Sequence, residues 1–353
     1  MIMQNRSDKY TLRDVARMAD VSTATASRAF NKNSYIREAT RRKVLEVAEN
    51  LNYRPSFSAQ NLAFRRAGRI NNKGAVKLFT RRLFEYGHSF YIEIVKGVIN
   101  TLNQHGLEAA ISEFMEDDIP RCENWAFKDS LCMDAVIFIG TAPENAVRYF
   151  VDYPVPVLLI DEAPRFDNLP WIGIDNFSGI KDLVGHLVGL GYRRIAFAGG
   201  MLFGYSVQER LDAFRIAVAE YGLDPAFTPV ISCGQTMDSA YKTWLQLLAA
   251  DSLRNIDAVI AINDVIGVGI VKACNVSGIS IPDKFGVATF DGSSFCNYSP
   301  IPMTTMKVPT YEMGREAAQM IIASLKLNCG FHSRVSVMPE LVLGETCSLR
   351  PRS

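Results

Sequence analysis

Between Ser22 and Arg28 the chain reads Ser-Thr-Ala-Thr-Ala-Ser-Arg, a run of short hydroxyls and methyls closed by one guanidinium. Such a run suits contact with nucleic acid. An arginine donates two parallel hydrogen bonds to guanine O6 and N7, Thr23 and Ala24 are small enough to let backbone approach base edges, and Ser22, Thr25 and Ser27 can hold phosphate oxygens. The plain structural reading of the same residues is that the hydroxyls cap and space a helix while Arg28 stays solvated. Other chemistry-bearing residues do not assemble. The seven cysteines (Cys122, Cys132, Cys233, Cys274, Cys296, Cys329, Cys347) contain no C-x-x-C pair and are odd in number. His88, His105, His186 and His332 lack H-x-x-x-H spacing. Neither a metal site, nor a disulfide framework, nor a cofactor is therefore expected. No G-x-S-x-G elbow, phosphate loop or dinucleotide fingerprint occurs, and Gly199-Gly200 and Gly267-Val268-Gly269 fit neither glycine motif, so an enzyme is not expected.

The elements that would carry the Ser22–Arg28 run are legible from period. Leu12, Val15, Ala16 and Ala19 recur at helical spacing over 12–19 behind a capping Thr11; Asp20-Val21 makes a turn; Ser22 caps a second helix with Ala26, Ala29 and Phe30 inward. A third helix over 38–51 carries Val44, Leu45, Val47, Ala48 and Leu51. Two short helices around a tight turn form the helix-turn-helix pattern, whose second helix enters the major groove. Charge agrees. Residues 1–74 hold 15 Lys/Arg against 6 Asp/Glu, a net of +9, which leaves 23 against 31, a net of −8, for 75–353. A basic head on an acidic body points to a polyanion at the head.

The 353 residues, 48% apolar and 21% charged, make two or three globular domains and exclude wholesale disorder. No apolar run approaches the roughly 18–20 residues of a membrane span. The start of the chain has no secretory core, so a cytoplasmic protein with reduced, buried thiols is expected. From residue 75 apolar runs at 75–79, 109–112, 135–139, 155–160, 171–174, 194–198, 230–232, 258–262 and 285–290 alternate with helical stretches at 92–104, 178–190, 208–221, 237–250, 265–277 and 310–325. That alternation predicts an α/β body of two doubly wound sheets, with a ligand in the cleft outside the carboxyl ends of the strands. The predicted divisions are a helix-turn-helix domain at 10–55, a hinge helix and flexible linker at 56–74, and a body at 75–353. Within the body one lobe takes 75–174 with 308–335 and the other 175–307 with 336–353.

The stretch Thr-Leu-Arg-Asp-Val-Ala-Arg-Met-Ala-Asp-Val-Ser-Thr-Ala-Thr-Ala-Ser-Arg-Ala-Phe-Asn from Thr11 to Asn31, with Arg41 to Val44 and Asn52-Tyr53-Arg54-Pro55, resembles the DNA-binding head of the lactose/galactose repressor (LacI/GalR) family. The resemblance implies base recognition by Thr23, Ala24 and Arg28, and phosphate contacts from Ser22, Thr25, Ser27, Asn31 and Thr40. Tyr53 joins this DNA-binding set, and a hinge helix near 56–64 would wedge Leu62 into the minor groove. Two positions depart: the family's usual turn glycine is Asp20, a residue type that tolerates left-handed geometry, and its usual valine after the recognition threonine is Ala26.

Trp171 to Asn176, Gly191 to Gly200, Glu209 to Phe214, Ala261 to Asp264, Thr289 to Asp291 and Tyr311 to Arg315 are similar to stretches of the same family's body, which is of periplasmic-binding-protein type. The resemblance places Arg210, Asn263 and Asp291 at positions that bind a small-molecule effector, with Asp161, Phe90 and Tyr91 near the wall of the other lobe. Gln235 stands where many relatives stack an aromatic ring. A guanidinium, an amide and a carboxylate together address vicinal hydroxyls as donors and as acceptors. The competing uses are Arg210 pairing with an acid on its own helix, Asn263 satisfying backbone at a strand end, and Asp291 capping a turn with Gly292 and Ser293. The aromatic Phe84, Tyr86, Phe90 and Tyr91 either line the pocket or pack the lobe. The resemblance thus implies a homodimeric regulator, expected to repress a carbohydrate-use operon by binding double-stranded operator DNA under control of a sugar. A purine or other effector is the near alternative; a transport solute-binding protein and a sugar enzyme with an added head are the rivals from other classes. The last residues, 346–353, hold no leucine heptads, so a tetramerising tail is not expected.

Overall fold

Thr11 and Asp14 bond reciprocally, a capping box that starts helix α1 (Leu12–Met18). Asp20 ends it at φ 54°, and the Val21 N–H closes back on the Ala16 carbonyl at 2.9 Å. The aspartate thus occupies the left-handed position that a glycine would ordinarily fill. Helices α2 (Thr23–Ala29) and α3 (Glu38–Asn50) follow, and Val15, Ala16, Ala19, Ala26, Ala29, Val44 and Ala48 make one small core. This computed structural model describes residues 10–30, 36–51, 53, 74–80, 89–113, 133–151, 155–161, 169–199, 204–327 and 333–350. The chain divides into two compact units, 1–72 and 73–353. Asn31, Leu62, Phe84, Tyr86 and all of the expected hinge and linker at 56–74 except Gly74 lie outside the described residues.

The body is a pair of six-stranded sheets. In the first, β1 (Ala75–Thr80), β2 (Glu108–Glu113), β3 (Met133–Ile139), β4 (Val157–Ile160), β5 (Trp171–Ile174) and β11 (Arg334–Val337) take the order β11-β5-β4-β3-β1-β2, all parallel. In the second, β6 (Ile195–Gly199), β7 (Val230–Ser232), β8 (Ala258–Ala261), β9 (Gly286–Asp291), β10 (Thr304–Lys307) and β12 (Glu340–Val342) take the order β12-β10-β9-β8-β6-β7, with β12 alone antiparallel. Central strands such as β8 are buried on both faces, as helices on either side of a parallel sheet require. Those helices are α4 (Ser89–Gln104), α5 (Glu144–Val151), α6 (Asn176–Gly189), α7 (Tyr205–Glu220), α8 (Met237–Ala249), α9 (Asp264–Val276) and α10 (Thr310–Leu327).

The chain passes between lobes three times, at Asp175, at Val308-Pro309 and at Met338-Pro339. Helices α4 and α10 of the first lobe meet backbone to backbone. A Cβ on Gly97 would lie 2.1 Å from the Tyr311 carbonyl oxygen, and one on Gly314 2.0 Å from that of Ile94. Among the described residues no helix is long and apolar enough to cross a membrane.

Candidate functional site

On α2 the side chains divide by face. Ala26 and Ala29 are buried, while Ser22, Thr23, Ala24, Ser27 and Arg28 are exposed and Thr25 is half-buried. Ser22 also accepts the Thr25 N–H at 3.0 Å, and the two hydroxyls bond at 2.8 Å, so both residues cap the helix. Thr40 lies half-buried in the first turn of α3, where Arg41 reaches across to donate to the Ala29 carbonyl at 3.0 Å. Tyr53 is half-buried against Phe30, ring centroids 5.9 Å apart, which leaves it as much a core residue as a surface one. The head therefore presents one short helix whose outward face is small, polar and cationic at its carboxyl end.

In the body, the strand order of each sheet puts a crevice at the carboxyl ends, and the expected residues stand there: Asp161 directly after β4, Asn263 after β8, and Asp291 as the last residue of β9. Arg210, on the second turn of α7, is 6% exposed. Its guanidinium covers the Phe290 ring at 3.9 Å, pairs with Asp291 at 3.0 Å, and donates to the Ile262 carbonyl at 2.7 Å and to Asn176 Oδ1 at 2.8 Å. Asn176 in turn donates to Glu209 at 2.9 Å. Arg210 is thus paired with an acid at the end of strand β9, not with one on its own helix. Asn263 does serve backbone, accepting the Ile266 N–H at 3.0 Å as the cap of α9.

Asp161, at φ 53°, accepts the Tyr91 hydroxyl at 2.9 Å and the Ser206 hydroxyl at 2.6 Å, the second bond crossing from one lobe to the other. Close behind Tyr91 stands Gly140, at φ 75°, where a Cβ would lie a tight 3.1 Å from the phenol. Phe90 packs edge-on to Tyr91 at 5.2 Å and is half-buried, so this aromatic pair both packs the lobe and faces its acid. Gln235 lies exposed in the turn before α8, and none of the bonds described reaches it.

Burial governs the charges. It pushes the Asp291 carboxyl up to about 7; Arg210 pulls it down, and the Asp264 and Asp161 charges add to the rise. Asp161 is raised by burial too, against the pull of Ser206, Arg210 and Tyr91, and Tyr91 is raised well above its ordinary value by burial and then by Asp161. Asp291 also sits at φ 100°, a backbone region costing a non-glycine residue on the order of 1–3 kcal/mol. The arrangement is a dense polar cluster of donors and acceptors between two lobes, beside the Phe290 ring and the Phe90–Tyr91 pair.

Sequence reasoning singled out neither Ser206 nor Asn176, Glu209 and Asp264 as site residues. Asn176, Glu209 and Asp264 fall inside stretches that resemble the family, which is the signal that could have found them; Ser206 had none. Residues 11–56 match the family described as bacterial regulatory proteins, lacI family, and residues 184–347 match the periplasmic binding protein-like domain. The chain is 27% identical over 316 residues to catabolite control protein A of Priestia megaterium, covering 88% of this chain and 91% of that protein. It is 25% identical over 338 residues to the ribose operon repressor of Halalkalibacterium halodurans, covering 95% and 96%. Two solved structures share its fold: a CelR–cellobiose complex, 24% identical with TM-score 0.69 over 96% of this chain and 100% of that one, and the lac repressor dimer bound to operator and the anti-inducer ONPF, 23% identical with TM-score 0.69 over 97% and 100%.

Proposed function

Taking as premise that the chain belongs to the LacI family, a DNA-binding transcriptional regulator with a periplasmic-binding-like body, we propose that it represses a carbohydrate-use operon and is controlled by a sugar. The sugar binds between the lobes, at Arg210, Asp291, Asn263, Asp161, Tyr91 and Phe90, with Gln235 at the rim. The observation that carries this reading is the Arg210–Asp291 pair beside the Asp161–Tyr91–Ser206 chain, which offers donors and acceptors together at the carboxyl ends of both sheets. A ligand with several hydroxyls can replace each of those internal bonds by one of its own, so little polar surface is left unpaired on binding.

At the head, Thr23, Ala24 and Arg28 read base edges, and Ser22, Thr25, Ser27, Asn31, Thr40 and Tyr53 hold the backbone of double-stranded DNA. A cytoplasmic homodimer presents two such helices to a pseudo-palindromic site, with Leu62 from each protomer at its centre. The domain divisions follow the same reading: head to residue 55, hinge to 74, and two lobes beyond.

The test is a fluorescence-anisotropy titration of operator DNA with the full chain, in the presence of each member of a panel of pentoses, hexoses and disaccharides, with purine bases as a contrasting set. One sugar shifts operator affinity and purines do not. A shift by a purine alone would replace the sugar reading, and no operator binding under any condition would remove the regulator reading.

A further inference from the structure

Asp264, the first residue of α9, is 1% exposed and belongs to no contact made by the proposed ligand. Its carboxylate is nevertheless fully engaged. One oxygen accepts the hydroxyls of Thr289 at 2.7 Å and Thr305 at 2.9 Å, and the other accepts the Ser293 N–H at 2.6 Å. The Thr305 hydroxyl also accepts the Gly292 N–H at 3.2 Å. These four bonds bracket Asp291 from both sides of its turn. They join the end of β9 through Thr289, the two residues that follow Asp291, and the middle of β10 through Thr305. Asp291 then closes the loop itself, since its carbonyl accepts the Val308 N–H at 3.0 Å, at the crossing into the other lobe.

We propose that Asp264 is a positioning residue for effector recognition: by clamping Thr289, Thr305 and Ser293 it fixes the Asp291 carboxylate opposite Arg210 in a turn whose backbone is bonded to the Val308 crossing. The inference rests on the sugar-binding reading and deepens it. Three features make the clamp more than ordinary core. A non-glycine residue at φ 100° persists only where its neighbours over-determine it. Gly292 packs backbone to backbone on β10, since it has φ 61° and a Cβ there would stand 2.6 Å from Lys307 Cα. And a buried carboxylate at a helix N-terminus is well placed to take several donors at once, which an apolar residue of the same size could not do.

The groups that face Asp291 are Arg210 from α7, Asp264 from α9, and Asp161 after β4. Tyr91 from α4 and Cys296 from the 294–298 turn feel its charge in turn. Removing the Asp264 charge takes away one of the influences that raise Asp291.

The experiment uses the full chain labelled with carbon-13 at aspartate carboxyls, in wild type and in Asp264→Asn, Thr305→Val and Thr305→Ser. The Asp291 signal is assigned by its loss in Asp291→Asn. In Asp264→Asn its titration midpoint falls, by on the order of one pH unit. In Thr305→Val it also falls, as the loosened turn admits water. In Thr305→Ser, which keeps the hydroxyl, it stays at the wild-type value. A second readout is calorimetric binding of D-ribose, D-glucose and cellobiose: for whichever binds wild type, Asp264→Asn and Thr305→Val weaken binding about tenfold or more while Thr305→Ser does not. Midpoints of Asp291 that stay at wild type in both Asp264→Asn and Thr305→Val overturn the proposal, as does a loss in Thr305→Ser equal to that in Thr305→Val. Should none of the three sugars bind wild type, the sugar reading is what fails, and the carboxyl titration still decides the role of Asp264; should Asp264→Asn not fold, the Thr305 pair decides it.

Discussion

Two side chains carry the sharpest expectations at the scale of single residues. Arg28 is exposed at the carboxyl end of α2. If it reads a base, Arg28→Ala costs about 1–3 kcal/mol on operator and relaxes the preference at one base pair, while leaving random DNA nearly untouched; competition titrations on single-base operator variants measure this, and undiminished discrimination would end the assignment. Asp291 carries the other. Its carboxyl is raised to about 7 from an ordinary 3.8, so the folded chain holds that proton more tightly than the unfolded chain does. The stability this confers is complete below pH 4 and is lost as pH rises to about 7, above which the difference is constant. Relative to Asp291→Asn, wild type should therefore lose on the order of a few kcal/mol of unfolding free energy between pH 4.5 and pH 8, read from urea unfolding at each pH. A flat difference would mean the carboxyl is not buried as described.

At the scale of elements, the body's helices α4 and α10 pack by close approach of their backbones. A methyl on Gly97 cannot be accommodated without parting α4 from α10, so Gly97→Ala should cost about 1–3 kcal/mol, and more if the helices cannot shift; thermal unfolding measures it. Ser22→Ala, which removes the cap of α2, should cost about 1 kcal/mol in the same assay. How much of this was legible in the sequence follows the range of the interactions. The first two head helices begin where their caps predict, because Thr11 and Ser22 act on donors three residues away, whereas the third starts at Glu38 without a side-chain cap. Helices α4, α6 and α7 begin at Ser89, Asn176 and Tyr205, two or three residues before their apolar periodicity becomes visible. In α6 the first turn is held by the Asp175 cap, not by apolar spacing. Helix α5 and strands β10, β11 and β12 were not anticipated. They are three to eight residues long, and the outer strands β11 and β12 alternate exposed with half-buried positions, too weak a pattern to read alone. At the site, Arg210, Asn263 and Asp291 were reachable only through resemblance. Contacts such as Thr305 to Asp264 and Ser206 to Asp161 span 41 and 45 residues, and no local period encodes a partner at that distance.

For the molecule as a whole, charge and connectivity matter more than any one contact. The +9 head and −8 body predict that operator affinity falls by about a thousandfold or more between 50 and 200 mM salt, while binding of the proposed sugar to the body stays level over the same range; parallel salt titrations of both ligands test the separation. The three short crossings between the lobes have a mechanical consequence. Two of them hold a proline, Pro309 and Pro339, whose ring locks one of the two torsions available at that residue, and the third is the single residue Asp175, whose side chain is already bonded to Ser178. Three short, stiffened tethers resist sliding and separation of the lobes far more than they resist bending. Whatever binds between the lobes can then be reported outward as a change of angle about one axis, so a single well-chosen distance between labels on the two lobes should follow the entire response.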